Sequence, residues 1–236
     1  MIAAAGLAVV VLVTGCSADG TPAAGSATGL RDTTVPVSES DPNAGLKSGT
    51  ELRRALLTDK DLPARYKATT NLQRDSAETF SPPTKVIAPT AASCKELESN
   101  LWIEAAGSDS AAFAQTGFTD SYGSEVDAEI ESYRGSDARA VMTNLAKLFK
   151  ICSTFKTTVE GAGRATVKVT VKAGPNVGDS SIGATVTSPV WEGGTTLIAV
   201  RVGSEVVSVL SASAKNNGGA TATKMAKLMV ARLGQS

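Results

Sequence analysis

The sequence predicts an α+β fold, a single antiparallel sheet of about six strands with helices packed on one face. Short runs at 111–133 and 166–187 alternate apolar and polar residues, and two more at 196–202 and 205–211 flank Gly203-Ser204; polar or glycine-rich turns separate them. Strands joined by such tight turns pair antiparallel. Two other stretches, Ser136 to Ser153 and Ala220 to Leu233, repeat their apolar residues every three or four positions. That is the period of a helix with one buried face.

In chain order, Ile2 to Val13 is an uncharged, mostly apolar run of signal-peptide length. As a helix it would rise about 18 Å, short of the roughly 30 Å hydrocarbon core. It leads into Leu12-Val13-Thr14-Gly15-Cys16, which reads as a lipobox: small residues precede a cysteine whose thiol can take a diacylglyceryl chain. Residues 1–15 are therefore expected to be a lipoprotein signal peptide and Cys16 the lipidated residue. The first basic residue is Arg31, so the basic flank of an h-region is expected upstream of Met1 or lost. Residues 16–50 read as a flexible tether, rich in Ala, Gly, Ser, Thr, Asp and Pro and without apolar periodicity. From residue 51 to 236 about 185 residues remain, enough for one domain with its own core.

Within that domain, Leu52, Ala55 and Leu56 have helical spacing, which predicts a helix over 49–57 that ends before Asp61-Leu62-Pro63. Tyr66 to Ile87 reads as an irregular loop, with Ser81-Pro82-Pro83 holding it extended. A second helix is expected over Pro89 to Leu101, with Thr90 as N-cap and Cys94, Leu97 and Leu101 on one face. Trp102 follows as a core anchor. Ala111 to Thr119 and Glu125 to Tyr133 form a hairpin around Ser121-Tyr122-Gly123-Ser124. In its second strand Val126, Ala128 and Ile130 share one face, and Glu125, Asp127, Glu129 and Glu131 share the other, which is expected to be solvated. In the strong helix over 136–153, Val141, Leu145, Leu148, Phe149 and Cys152 make the buried stripe. Four strands follow, around 166–171, 182–187, 196–202 and 205–211; Gly203-Ser204 suits a two-residue hairpin turn. The last helix carries Met225, Leu228, Met229 and Leu233 on one side.

Composition excludes several chemistries. The chain has no histidine, which removes Ser-His-Asp and Cys-His catalysis and every zinc site that uses imidazole. Basic and acidic side chains balance at 23 each, so no nucleic-acid partner is expected. Three cysteines are present. With Cys16 committed to lipid, Cys94 and Cys152 are expected to form a disulfide in an oxidising compartment. No cofactor, no metal and no catalytic residue is expected, and the chain is not expected to be an enzyme. Asn176-Val177-Gly178-Asp179 lacks the ligand pattern of an EF-hand and reads as a turn. Gly161-Ala162-Gly163-Arg164 reads as a connection between a helix and a strand. Ser93 and Lys95 lack the Ser-x-x-Lys spacing of a serine–lysine pair. The residues left as candidates for binding a ligand or partner are Trp191, in a loop, and the acidic row Glu125, Asp127, Glu129 and Glu131.

The opening Leu56-Leu57-Thr58 with Asp61-Leu62-Pro63, a cysteine on each of two helices, and the late hairpin from Val200 to Val207 together resemble the PknH-like extracellular sensor domain. That family is carried by actinobacterial transmembrane kinases and lipoproteins. The resemblance covers about Leu52 to Leu233 and implies a twisted antiparallel sheet, helices on one side, and a cleft for an unidentified ligand. Members can carry two disulfides, whereas this chain has cysteines for Cys94–Cys152 alone. The expected function is that of a membrane-tethered extracytoplasmic lipoprotein with a ligand-binding or sensing domain. Its partners would be the membrane, through the lipid anchor, and a small ligand. The alternative is a structural or adaptor lipoprotein that binds another envelope protein.

Overall fold

The computed structural model describes residues 41–100, 102–159 and 163–235. The leader, the lipobox with Cys16 and the tether as far as residue 40 lie outside the described residues. The compact unit runs from Ser40. Residues 41–48, which the sequence assigns to the tether, are tied to it: Arg134 donates to the Asn43 side chain, and Ser48 is buried.

Nine strands form one sheet among the described residues, all paired antiparallel, in the order β1-β3-β4-β9-β8-β7-β6-β5, with β2 also paired to β3. They are β1 (Lys67–Ala68), β2 (Arg74–Asp75), β3 (Ala112–Thr119), β4 (Glu125–Ser132), β5 (Thr154–Val159), β6 (Gly163–Ala173), β7 (Ser180–Thr187), β8 (Gly194–Val202) and β9 (Glu205–Ser213). The six expected strands are all present, and β1, β2 and β5 are additional. The two-residue strands β1 and β2 lie in the stretch expected to be an irregular loop and are too short for an alternating pattern to register. β5 is an edge strand whose residues 154–158 are half-buried or exposed, so it carries little apolar contrast. It precedes the glycine-rich stretch, where a helix was expected.

The sequence places helices on one face; the structure covers both. α1 (Gly49–Arg53) and α3 (Gly219–Leu233) pack on one face, against Val126, Ala128 and Ile130 of β4 and the inward residues of β8 and β9. α2 (Asp137–Ile151) packs on the opposite face, over β6, β7 and β8. The second core is possible because β8 and β9 are apolar on both sides: Leu197 and Ala199 face α2, whereas Ile198 and Val200 face α3. A strand buried on both faces reads as a continuous apolar run, and the sequence shows Leu197-Ile198-Ala199-Val200.

Local chemistry sets the element ends. Ser48 and Glu51 make a reciprocal capping box that starts α1, Ser48 N donating to Glu51 Oε2 at 2.8 Å. Gly203, at φ +62°, supplies the left-handed position that the two-residue β8–β9 turn requires. The expected second helix is a 3₁₀ segment, Ala91–Glu98, with Thr90 at its N-cap position. A three-residue period still places Cys94 and Leu97 on one buried face. Cys94 and Cys152 are disulfide-bonded, with Cα atoms 5.4 Å apart. The bond fastens the 3₁₀ segment to the C-terminal end of α2.

Candidate functional site: a roofed row of carboxyl groups

The strict alternation of β4 sends its carboxylates to one side of the sheet. β4 lies between β3 and β9, with Gly117 opposite Asp127, Gln115 opposite Glu129 and Phe113 opposite Glu131 on the β3 side. Leu210, Ser208 and Val206 stand opposite the same three residues on the β9 side. The sequence expects this face to meet solvent, and the structure overturns that. Asp127, Glu129 and Glu131 are buried, at 5%, 8% and 3% exposure, and Glu125 at the strand end is half-buried.

What buries them comes from elsewhere in the chain. The short 3₁₀ turn Thr70–Leu72 crosses β3, and the Leu72 side chain occupies the space that Gly117, lacking a Cβ, leaves open. Thr69 N donates to Gly117 O at 2.8 Å and holds the turn there. On the other side lie Asn100 and the segment from Trp102 to Gly107. Its Trp102 stacks on Phe149 of α2, ring centroids 6.2 Å apart, and Asn144 Nδ2 donates to Ala106 O at 2.8 Å. Between roof and sheet is a cavity of about 10 Å³, lined by Asn100, Trp102, Gln115, Asp127, Glu129 and Ser208. That is about the room one water needs, too little for a ligand.

Burial in an acidic neighbourhood holds these groups protonated far above the ordinary carboxyl range. Burial, followed by the charge and hydrogen bond of Glu125, pushes the Asp127 carboxyl up to about 8. Glu131 is also pushed up to about 8, chiefly by burial, against the opposing effect of the Tyr133 hydroxyl that donates to its Oε2 at 2.7 Å. Glu129, between them, is raised well above its usual value by burial, by Glu131 and by Glu104. Arg74 acts in the opposite direction on Glu129; it donates to Gln115 Oε1 at 2.7 Å and sits over the Phe113 ring. The Asp127 Oδ1 atom has no hydrogen-bond partner among the described residues. A buried carboxylate with an oxygen left unsatisfied is costly, so the neutral form is the stable occupant. The row is an interior element and presents no acidic surface to a partner.

The surface beside the roof does offer a groove. About 530 Å³ lies between the extended stretch Ile87–Pro89 and the 3₁₀ segments Ala91–Glu98 and Glu104–Ala106. Its lining is mostly apolar, with Glu96 and Glu104 as its carboxylates, and Ile87 is 67% exposed. Ile87 N donates to Gly107 O at 2.6 Å and closes one end. Trp191, the other sequence candidate, does not line the cavity that holds Asp127 and Glu129. It is half-buried against the α2-side core and lines a cleft of about 290 Å³ that also includes Tyr122, which is 80% exposed.

Glu104, Arg74 and Tyr133 escape the sequence reading as site residues. Tyr133 continues the i, i+2 spacing of the acidic row and is legible on that ground; nothing local marks the other two. No group of three or more His, Cys, Asp or Glu among the described residues could hold a metal ion. Asp179, in the turn over 176–179, accepts from Gly203 N at 2.8 Å and braces the β8–β9 hairpin.

The architecture superposes on that of the extracellular domain of PknH from Mycobacterium tuberculosis, with a TM-score of 0.57. The fold is PknH-like. The likeness covers 81% of this chain and 98% of that domain at 16% sequence identity, and is a likeness of fold. The PknH-like architecture accounts for the antiparallel sheet expected from sequence. No protein-family model matches the chain, and no curated protein matches it.

Proposed function

We propose that this chain is a membrane-tethered extracytoplasmic lipoprotein whose α+β domain binds or senses a small ligand and has no catalytic role. The observation that carries the reading is the PknH-like fold, one solved example of which is an extracellular domain. The lipobox ending at Cys16 and the pairing of Cys94 with Cys152 support it, since disulfides persist in oxidising compartments. The 530 Å³ groove is of the size that small-molecule sites have. Among the described residues no helix is long and apolar enough to cross a membrane; two acyl chains on Cys16 would supply stable attachment.

Intact-mass analysis of the chain purified from membranes tests the anchor. The expected product starts at an acylated Cys16, and a Cys16→Ala variant moves to the soluble fraction. An uncut leader or a free thiol at Cys16 would refute the tether. A thermal-shift screen of the Cys16→Ala chain against envelope lipids, glycans and small metabolites tests the ligand reading, which fails if no compound raises the melting temperature. A second reading, an adaptor for another envelope protein, is favoured by the exposed Tyr122 beside Trp191. In-cell crosslinking at Tyr122 would then give one dominant partner.

A further inference from the structure

We propose that the groove between Ile87–Pro89 and the two 3₁₀ segments binds a small apolar cation, an ammonium group on a hydrocarbon body. This rests on the ligand-binding reading above and names the class of ligand. Shape and lining argue for the hydrocarbon part. Ile87, Ala88, Pro89, Ala92 and Ala105 form the groove, and an isoleucine left 67% exposed gains free energy from any apolar cover.

Charge argues for the cation. Glu96 and Glu104 line the groove, and Asp109 adds to the negative field felt at Glu104. Two basic groups offset it in part: Lys95, itself 78% exposed, bridges Glu96 at 3.4 Å, and Arg74 acts on Glu104. Desolvation and the neighbouring acids disfavour the charged form of Glu104 in the free protein, and the opposite charge of an ammonium placed beside it favours that form. An anion would meet repulsion from every carboxylate named. The walls are fixed by the Cys94–Cys152 bond and by the Ile87–Gly107 hydrogen bond, so little ordering is required on binding.

The test is calorimetric titration of the full chain, carrying Cys16→Ala, with n-octylammonium, n-octanol and n-octanoate below their aggregation limits. Octylammonium is expected to bind about tenfold more tightly than octanoate. Glu104→Gln should remove most of that preference. Ala92→Trp, at an exposed position, should fill the groove and abolish binding. Equal affinity for octylammonium and octanoate, or a preference that survives Glu104→Gln, overturns the cation assignment. If the alcohol and the carboxylate bind and Ala92→Trp blocks them, the groove is a ligand site of another class and the proposed function stands. If none of the three binds and the wider thermal-shift screen is silent, the ligand-binding reading falls with it.

Discussion

The two faces of the sheet are covered by different means, and β4 belongs to both. Toward α1 and α3 it presents Val126, Ala128 and Ile130, all at 2% exposure or less, packed under regular helices. Toward the roof it presents Asp127, Glu129 and Glu131, covered by 3₁₀ turns and a loop that one disulfide holds in place. The first face is built for stability in the ordinary way, by burying hydrocarbon. The second buries groups whose charged forms oppose burial. Its cover therefore depends on protonation and on covalent fastening, and the open groove lies on this less conventional side.

The largest expected effect breaks that contrast with pH. Asp127 titrates near 8 in the folded chain against 3.8 for a free aspartate, and Glu131 near 8 against 4.5. Between the unfolded and folded values the native state holds more protons than the unfolded chain. Stability is therefore full below about pH 4 for this contribution and falls as pH rises through about 8. The loss is on the order of several kcal/mol, and the melting temperature should drop by about ten degrees between pH 5 and pH 8.5. Asp127→Asn should flatten this slope. A melting temperature that rises over the same interval would contradict the assignment.

Removing the disulfide should act mainly on the roofed face. The bond closes residues separated by 58 positions, and Cys94→Ser with Cys152→Ser should cost about 4 kcal/mol by chemical denaturation. Hydrogen exchange should rise most over 91–107, with α3 least affected. Ile130→Ala tests the other face. Its side chain is fully buried, and the cavity left behind should cost about 3 kcal/mol, independent of pH in the range where the acidic row titrates. Gly117→Ala should cost about 2 kcal/mol by overpacking. The new Cβ would clash with Leu72 Cδ1 and meet Asp127 Oδ1 at 2.6 Å, both on the roofed side. Smallest is Arg232→Ala, about 1 kcal/mol. Arg232 joins α3 to the loop after α1 through Asp61 Oδ1 at 2.6 Å and Leu56 O at 2.8 Å.

The legible parts of the molecule are those whose signal is periodic and local. Val141, Leu145, Leu148, Phe149 and Cys152 repeat at helical spacing, and all are fully buried on α2. The strand over Glu125 to Tyr133 alternates cleanly, and β4 forms there. β5 was illegible because an edge strand needs little apolar contrast to pair, and β1 and β2 because two residues carry no period. The 3₁₀ segment passed for an α-helix because Cys94 and Leu97 are three apart, a spacing both helices satisfy. Glu104 and Arg74 were missed because their role depends on which chain segment lies across β4, and nothing near them in sequence reports that.

By itself the sequence determined that β4 would have one hydrocarbon face and one carboxyl face, because a strand turns alternate side chains to opposite sides whatever surrounds it. It also pointed to the Cys94–Cys152 bond that the structure shows, because these are the two cysteines of the domain. Only the tertiary structure decided that the carboxyl face would be dry. That outcome required Leu72 and Trp102, each far from β4 along the chain, to close over it. Burial is a property of what arrives from elsewhere, and a strand's own pattern sets which groups share a face without setting whether water reaches them.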